Sequence, residues 1–235
     1  MSKYKMARVL VISDTQAPFV HRDALKFLEH LKQTYKPTHV VHIGDLFDLH
    51  ALGQWDHDPD GFGAGHEVKE ALKWTKELYK LFPKAYLLTS NHDVRAYNKA
   101  FKAGIPKAFL RDYNEWMHLP KCWQVVDHLE LDNVVYIHGH QVQSGGGNVQ
   151  QNAIKKYMQS VVFGHFHTQF GIDYYANSNS LLFGMAVGSL IDHKTYAFRY
   201  QAAERRKPII GTGLVIDGIP RLEPMLLTKS GRWKK

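Results

Sequence analysis

Five short clusters of oxygen- and nitrogen-bearing side chains stand where apolar runs of this chain end. They are Asp14-Thr15-Gln16, Gly44-Asp45-Leu46-Phe47-Asp48, Asn91-His92-Asp93, His138-Gly139-His140 and Gly164-His165-Phe166-His167. Carboxylate, amide and imidazole groups in this mixture are ligands for divalent cations. A pair of such ions needs about seven donors, and no local stretch of chain supplies them all. A carboxylate between two ions bridges them at about 3.5–4 Å, while His, Asn and Gln fill the outer positions. Two cations so held lower the pKa of a shared water and neutralise charge on phosphoryl oxygens, the chemistry of phosphoester hydrolysis. Taken singly, each of these residues reads as a helix cap or a satisfied polar group. Their joint order and type carry the metal reading.

The elements that would position them follow from hydrophobic periodicity. Arg8–Ile12, His39–Ile43 and Ala85–Thr89 are short β-branched or apolar runs of the kind buried on both faces. Helical spacing predicts helices from about Asp23 to Tyr35, with a Leu25, Leu28, Leu31 core stripe, and from about His66 to Leu81, with Val68, Leu72, Leu78 and Tyr79 inward. Strand, loop and helix thus recur three times, which argues for parallel strands in an α/β layout. Val134–Ile137 and Val161–Phe163 are further strands, ending at His138 and Gly164. In open α/β sheets ligands bind beyond the carboxyl ends of the strands, so one fold would bring all five clusters to one rim.

The stretch from Val94 to Gln124 is less regular and is expected to be mostly helical, with 101–124 a candidate lid or substrate-contact segment. Asn148 and Gln151 resemble a capping box opening a helix to about Gln159. Gly145, Gly146 and Gly147 before it read as a flexible loop or a phosphate cradle. From Phe170 onward the texture is β-rich, with a hairpin turning at Asp217-Gly218. With no repeat and no linker, residues 1–235 are expected to form one domain, the basic end 228–235 being disordered.

The 235 residues carry a formal charge of +8, which favours phosphorylated or polyanionic partners. Arg95, Lys99, Lys102, Lys107 and Arg111 either meet substrate phosphates or form a solvated helix face. No aromatic–basic run typical of strand tracking is legible. Trp55 and Phe62 either stack on a base or close the core. The single Cys122 excludes an internal disulfide framework, fits a reducing cytoplasm and is expected to be buried. No apolar segment is long enough for a membrane span or signal peptide.

The order D-x-[H/Q], G-D-x-x-D, N-H-D, H-G-H, G-H-x-H resembles the calcineurin-like metallophosphoesterase superfamily, from about Val9 to His167. The resemblance implies a two-sheet β sandwich flanked by helices, a four-layer α/β fold, with Val187-Gly188-Ser189-Leu190 among its closing strands. It implies that Asp14, Gln16, Asp45 and His167 hold a first metal, and that Asp45 bridges to a second held by Asn91, His138 and His165. His92 would be a general acid or transition-state hydrogen-bond donor, oriented by Asp93. His138 rather than His140 matches the ligand position; Arg95 and His140 are candidate substrate contacts.

Gln16 stands where the superfamily usually has His, which resembles the manganese-dependent ADP-ribose/CDP-alcohol diphosphatases. Three oxygen donors and one imidazole favour Mn²⁺, with Fe, Ni, Zn and Mg as alternatives. Ser90 replaces the usual Gly. Gly44-Asp45-Leu46-Phe47-Asp48 resembles the motif of double-strand-break repair nucleases. That resemblance implies a phosphodiester of nucleic acid or a nucleotide, cleaved by a metal-bridging hydroxide. The alternatives are a nucleotide diphosphatase or phosphomonoesterase, and a non-catalytic scaffold such as the superfamily's retromer subunit. A scaffold can lose the catalytic His, whereas this chain has both His92 and Asp93. Oligomeric state is not legible.

Overall fold

The computed structural model describes residues 6–54, 58, 60–144, 148–195, 197 and 206–235. Trp55, the three glycines 145–147 and Arg205 lie outside the described residues. The first sheet has the order β11-β10-β1-β2-β3-β4. Its strands are β1 (Arg8–Ile12), β2 (His39–His42), β3 (Ala85–Leu88), β4 (Trp123–Val126), β10 (Gly211–Ile216) and β11 (Ile219–Pro224). The second has the order β5-β6-β7-β9-β8, from β5 (Leu129–Leu131), β6 (Val134–Ile137), β7 (Ser160–Phe163), β8 (Phe170–Ala176) and β9 (Leu181–Val187). The strands β1 to β4 run parallel, as do β6, β7 and β9; β10 and β11 pair antiparallel beside β1.

Strand alternation divides the core into layers. Leu10 and Ile12 face α1 (Ala24–Tyr35) and α2 (Ala64–Leu81), meeting Leu28, Leu31 and Leu78. Val9 and Val11 point the other way, into a core between the sheets with Tyr136, Val162 and Met185. Ile137, Val161 and Phe163 then cover α5 (Val149–Tyr157) through Val149 and Ala153. The fold is therefore two mixed sheets flanked by helices, as expected. Leu28 has no exposed surface, so truncating it to Ala would cost about 2–5 kcal/mol.

Local signals decide most boundaries. Asn148 accepts the backbone N–H groups of Gln150 and Gln151 at 2.9 and 3.3 Å. The reciprocal half of the capping box is absent, because the Gln151 side chain donates to the Tyr174 carbonyl instead. Asp217 and Gly218 both have positive φ, the backbone of the tight turn that suits strand twist.

Several expectations are corrected. The inward face of α2 is rotated by one residue, burying Glu67, Ala71, Thr75 and Leu78 while Val68 and Leu72 are only partly covered. Glu67 is drawn in because its carboxylate accepts the N–H groups of His50 and Ala51 at 2.7 and 3.0 Å. Between Val94 and Gln124 the chain holds α3 (Arg95–Lys102), a 3-10 turn at Lys107–Phe109 and a single turn α4 (Tyr113–Trp116), about half of the stretch, with β4 beginning at Trp123. Cys122 is exposed, since its neighbour Trp123 takes the inward position at the start of β4. The basic end is docked. Leu227 bridges to Trp233, whose ring meets Phe27 at 5.5 Å, and Arg232 holds both oxygens of buried Asp23 at 2.7 Å. Among the described residues no helix is long and apolar enough to cross a membrane.

Candidate metal centre

Each cluster follows the carboxyl end of a parallel strand: β1, β2 and β3 in one sheet, β6 and β7 in the other. The turns after β1 and β2 continue the strand pairing, with Gln16 N–H on the Asp45 carbonyl at 2.8 Å and Ala17 N–H on the Leu46 carbonyl at 2.9 Å. In the second sheet, Gly164 N–H after β7 likewise donates to the His138 carbonyl after β6 at 2.9 Å. Asp14, Gln16, Asp45 and His165 all have positive φ, between 45° and 65°. Such backbone costs about 1–3 kcal/mol per residue and clusters at functional sites. Gly44, at φ 100°, is required for another reason: a Cβ there would lie 2.5 Å from Ser90 Cβ and 3.0 Å from His138 Nδ1.

The seven sequence-predicted ligands converge in two groups. Single donor atoms of Asp45, His138 and His165 lie within 4.8 Å of one another, and so do those of Asp14, Asp45 and His167. Asp45 belongs to both. Its Oδ1 is 3.4 Å from His138 Nε2, and its Oδ2 is 3.3 Å from the Gln16 side-chain amide. Asp14 Oδ1 lies 3.0 Å from His167 Nε2. Asn91 Oδ1 lies 2.8 Å from His138 Nε2.

These contacts ask for cations. His138 Nδ1 is 2.9 Å from the Ile43 carbonyl, to which only a protonated nitrogen can donate. In the tautomer with Nδ1–H on that carbonyl, Nε2 turns a lone pair toward Asn91 and Asp45, which are themselves acceptors. Lone pair against lone pair is reconciled by a positive charge between them, and a carbonyl behind the imidazole is the usual support of a metal-ligating His. Gln16 Oε1 is buried without a hydrogen-bond partner. Exchanging the amide's O and N, a choice set by the surrounding network, turns that oxygen toward Asp45 and His167.

Charge points the same way. Asp14 and Asp45 are fully buried, which pushes their carboxyls up, but positive charge at the contacts of Asp14 with His167, and of Asp45 with His138 and His92, whether carried by imidazolium or by a cation between the groups, outweighs this. Both carboxyls sit well below the usual range and stay ionised. Burial pushes His165 down to about 4, so it is neutral and ready to ligate. The donor set fits divalent-ion binding, and Asp45 is common to both groups of candidate ligands.

His92 stands beside these groups rather than in them. Its Nδ1 lies 2.8 Å from Asp48 Oδ1, and its Nε2 is 3.7 Å from Asp45 Oδ2. Burial pushes this imidazole down, but the Asp45 and Asp48 carboxylates raise it to about 9. Against that, Arg95 Nη2 lies 2.9 Å from His92 Nε2. A proton on both ring nitrogens would set two donors face to face, so the contact geometry decides for a neutral ring with Nδ1–H on Asp48.

Asp93 does not take the place expected of it. Its carboxylate accepts the Ser90 hydroxyl at 2.6 Å and the Phe47 N–H at 3.2 Å, and Ser90 Oγ accepts the Asp45 N–H at 2.8 Å. Asp93 thus braces the turn that presents Asp45, and Asp48 orients His92. Burial and the nearby Asp45 push the Asp93 carboxyl up to about 6. Ser90 supplies a link that a glycine would lack; its hydroxyl next to Asn-His-Asp was the only sequence signal for it. His140 is exposed at the rim, its ring 5.5 Å from that of His138. It lines, with Asn91 and Arg95, a cavity of about 550 Å³. Phe62 stacks on Phe19 and His66, closing the core beside His50.

Residues 7–185 match the family model of the calcineurin-like phosphoesterases. The chain belongs to that family of metal-dependent hydrolases acting on phosphoric esters. It is similar to the Gene 54 protein of Mycobacterium phage D29, 28% identical over 254 residues, covering 93% of this chain and 94% of the relative. The Gene 54 protein of Mycobacterium phage L5 is 29% identical over 219 residues, 80% of each chain. Among solved structures, Vps29 from Chaetomium thermophilum aligns with a TM-score of 0.47 at 10% identity, over 97% of this chain and 93% of its own. Yfce, a phosphoesterase from E. coli, aligns with a TM-score of 0.45 at 14% identity, over 96% of both.

Proposed function

We propose that this protein hydrolyses phosphodiesters at a dinuclear centre in which Asp14, Gln16, Asp45 and His167 hold one ion and Asp45, Asn91, His138 and His165 the other. The observation that carries this reading is the membership of Asp45 in both ligand groups, the arrangement a bridging carboxylate requires. Three oxygen donors and one imidazole at the first position suit Mn²⁺. When bound, the ions make a nucleophile of water near neutral pH and neutralise charge on the phosphoryl oxygens.

The protein's own groups do the rest. Asp48 holds Nδ1–H of His92, which leaves Nε2 as the atom that takes a proton and returns it to the departing oxygen. Arg95, beside Nε2, is placed to give its fork of N–H groups to the phosphoryl oxygens. The cavity that reaches from Asn91 past Arg95 gives the second ester substituent of a diester somewhere to lie, with His140 at its edge.

With Mn²⁺ added, turnover of bis-p-nitrophenyl phosphate is expected to exceed that of p-nitrophenyl phosphate. His92→Ala should lower it by about 10²-fold or more with bound metal intact. Activity on the monoester alone would remove the diester reading. No turnover of either ester would favour a scaffold.

A further inference from the structure

The face of α3 that leaves the metal centre carries a row of cations, of which Arg95 is held by Asp48. Between Asp93 and Asp112 the chain carries Arg95, Lys99, Lys102, Lys107 and Arg111 and no acidic residue. Arg95, Lys99 and Lys102 recur at helical spacing on one side of α3, and all three line the cavity that holds Asn91 and His140. Lys99 and Lys102 make no ion pair among the described residues.

Two large exposed rings lie beyond the row. Phe101 is 84% exposed and Phe109 78% exposed. Phe101 lines a second cavity of about 400 Å³, which shares Val94 and Asn98 with the first. Among the described residues Phe101 and Phe109 are the two most exposed of the large apolar side chains. Cations in line with free aromatic faces are the composition of a groove for single-stranded nucleic acid: phosphates meet the cations and unstacked bases lie on the rings. The linear sequence hides this arrangement, because the helix is needed to bring Lys99 and Lys102 beside Asn91, with Phe101 in the adjoining cavity. From Arg95 to Lys102 is about 10 Å along the helix, room for about three nucleotides at duplex rise.

We propose that α3 and the turn after it bind a single-stranded nucleic acid, which runs from the metal centre along Lys99 and Lys102 and stacks bases on Phe101 and Phe109. The inference rests on the hydrolytic reading only in making that strand the substrate.

Two measurements on the full chain separate the questions. Fluorescence anisotropy of a labelled oligothymidylate, without added metal so that nothing is cleaved, reads the track. The double variant K99A/K102A should reduce the slope of log affinity against log salt by about 1.4, at roughly 0.7 per phosphate contact. K99R/K102R should restore it. Loss of Phe101 or Phe109 should weaken binding about tenfold per ring. Hydrolysis of bis-p-nitrophenyl phosphate with Mn²⁺ reads the centre independently. Strand binding without ester hydrolysis would sustain the track and overturn the hydrolytic reading. Hydrolysis without strand binding, or a K99A/K102A variant that binds as wild type, would overturn the track. So would duplex binding as tight as single strand, or a Phe101→Ala variant whose only change is a lower mass in solution, which would make the patch a self-association surface.

Discussion

Oδ1 of Asp48 lies 2.8 Å from Nδ1 of His92, and the Asp48 carbonyl lies 3.0 Å from the same nitrogen. One residue thus offers two acceptors to one N–H. That fixes the tautomer and turns Nε2 toward Asp45 and Arg95. Asp93, adjacent to His92 in sequence, directs its carboxylate to Ser90 and Phe47 instead.

Asp48→Ala is therefore expected to lower kcat on a phosphodiester by about 10-fold to 100-fold, the usual effect of losing the partner that orients a site imidazole. Metal content should be unchanged, and the pH–rate profile should shift because the imidazole loses a carboxylate neighbour. Asp93→Asn should act differently, lowering metal content through Asp45. If Asp93→Asn slowed turnover with both ions retained while Asp48→Ala was neutral, the two roles would have to be exchanged.

Gln16 offers a second test. With its amide turned so that the oxygen faces Asp45 and His167, Gln16 is an oxygen donor to the first ion of the proposed centre. Gln16→His should preserve activity and move metal preference toward softer ions such as Zn²⁺, since imidazole replaces a hard oxygen. Activity titrated separately with Mn²⁺ and Zn²⁺ checks this. An unchanged preference would remove Gln16 from the ligand set.

Much of this was legible in the sequence, for an identifiable reason. Strands buried on both faces read as apolar runs, and the residue types that end such runs here are metal ligands. The five clusters and the parallel strands beneath them follow from that. Periodicity, however, is local, and the partner of a side chain past the strand end depends on turns such as those at Asp14 and Asp45, whose φ is positive. Asp48 and Asp93 are indistinguishable as acceptors in sequence; the turn geometry separates them. Glu67 sits where an apolar residue was expected, because two backbone N–H groups of a distant turn needed an acceptor. The basic end appeared disordered by composition, yet Trp233 and Arg232 find Phe27 and Asp23, contacts no local pattern shows.

Glu67 also predicts a pH dependence of stability. Burial, against the opposing Ala51 and His50 N–H groups, pushes its carboxyl up from 4.5 to about 7. The folded state then holds the proton more tightly than the unfolded chain, so the contribution of Glu67 to stability falls as pH rises from 4.5 to about 7. Urea midpoints across that range should decline for the wild type, and the decline should be shallower in Glu67→Gln. At the acid end the variant should be less stable by about 1–2 kcal/mol, because its amide leaves one of two buried N–H groups without an acceptor. Parallel curves for the two proteins would show that Glu67 does not titrate in the window.

The central claim is that Asp45 is shared by two cations, and counting ions tests it most directly. Elemental analysis and calorimetric titration of folded wild-type protein with Mn²⁺ should give two ions per chain, and Asp45→Ala should give neither at comparable affinity. Wild-type protein that binds no ion, or an Asp45→Ala variant that retains both, would contradict the account.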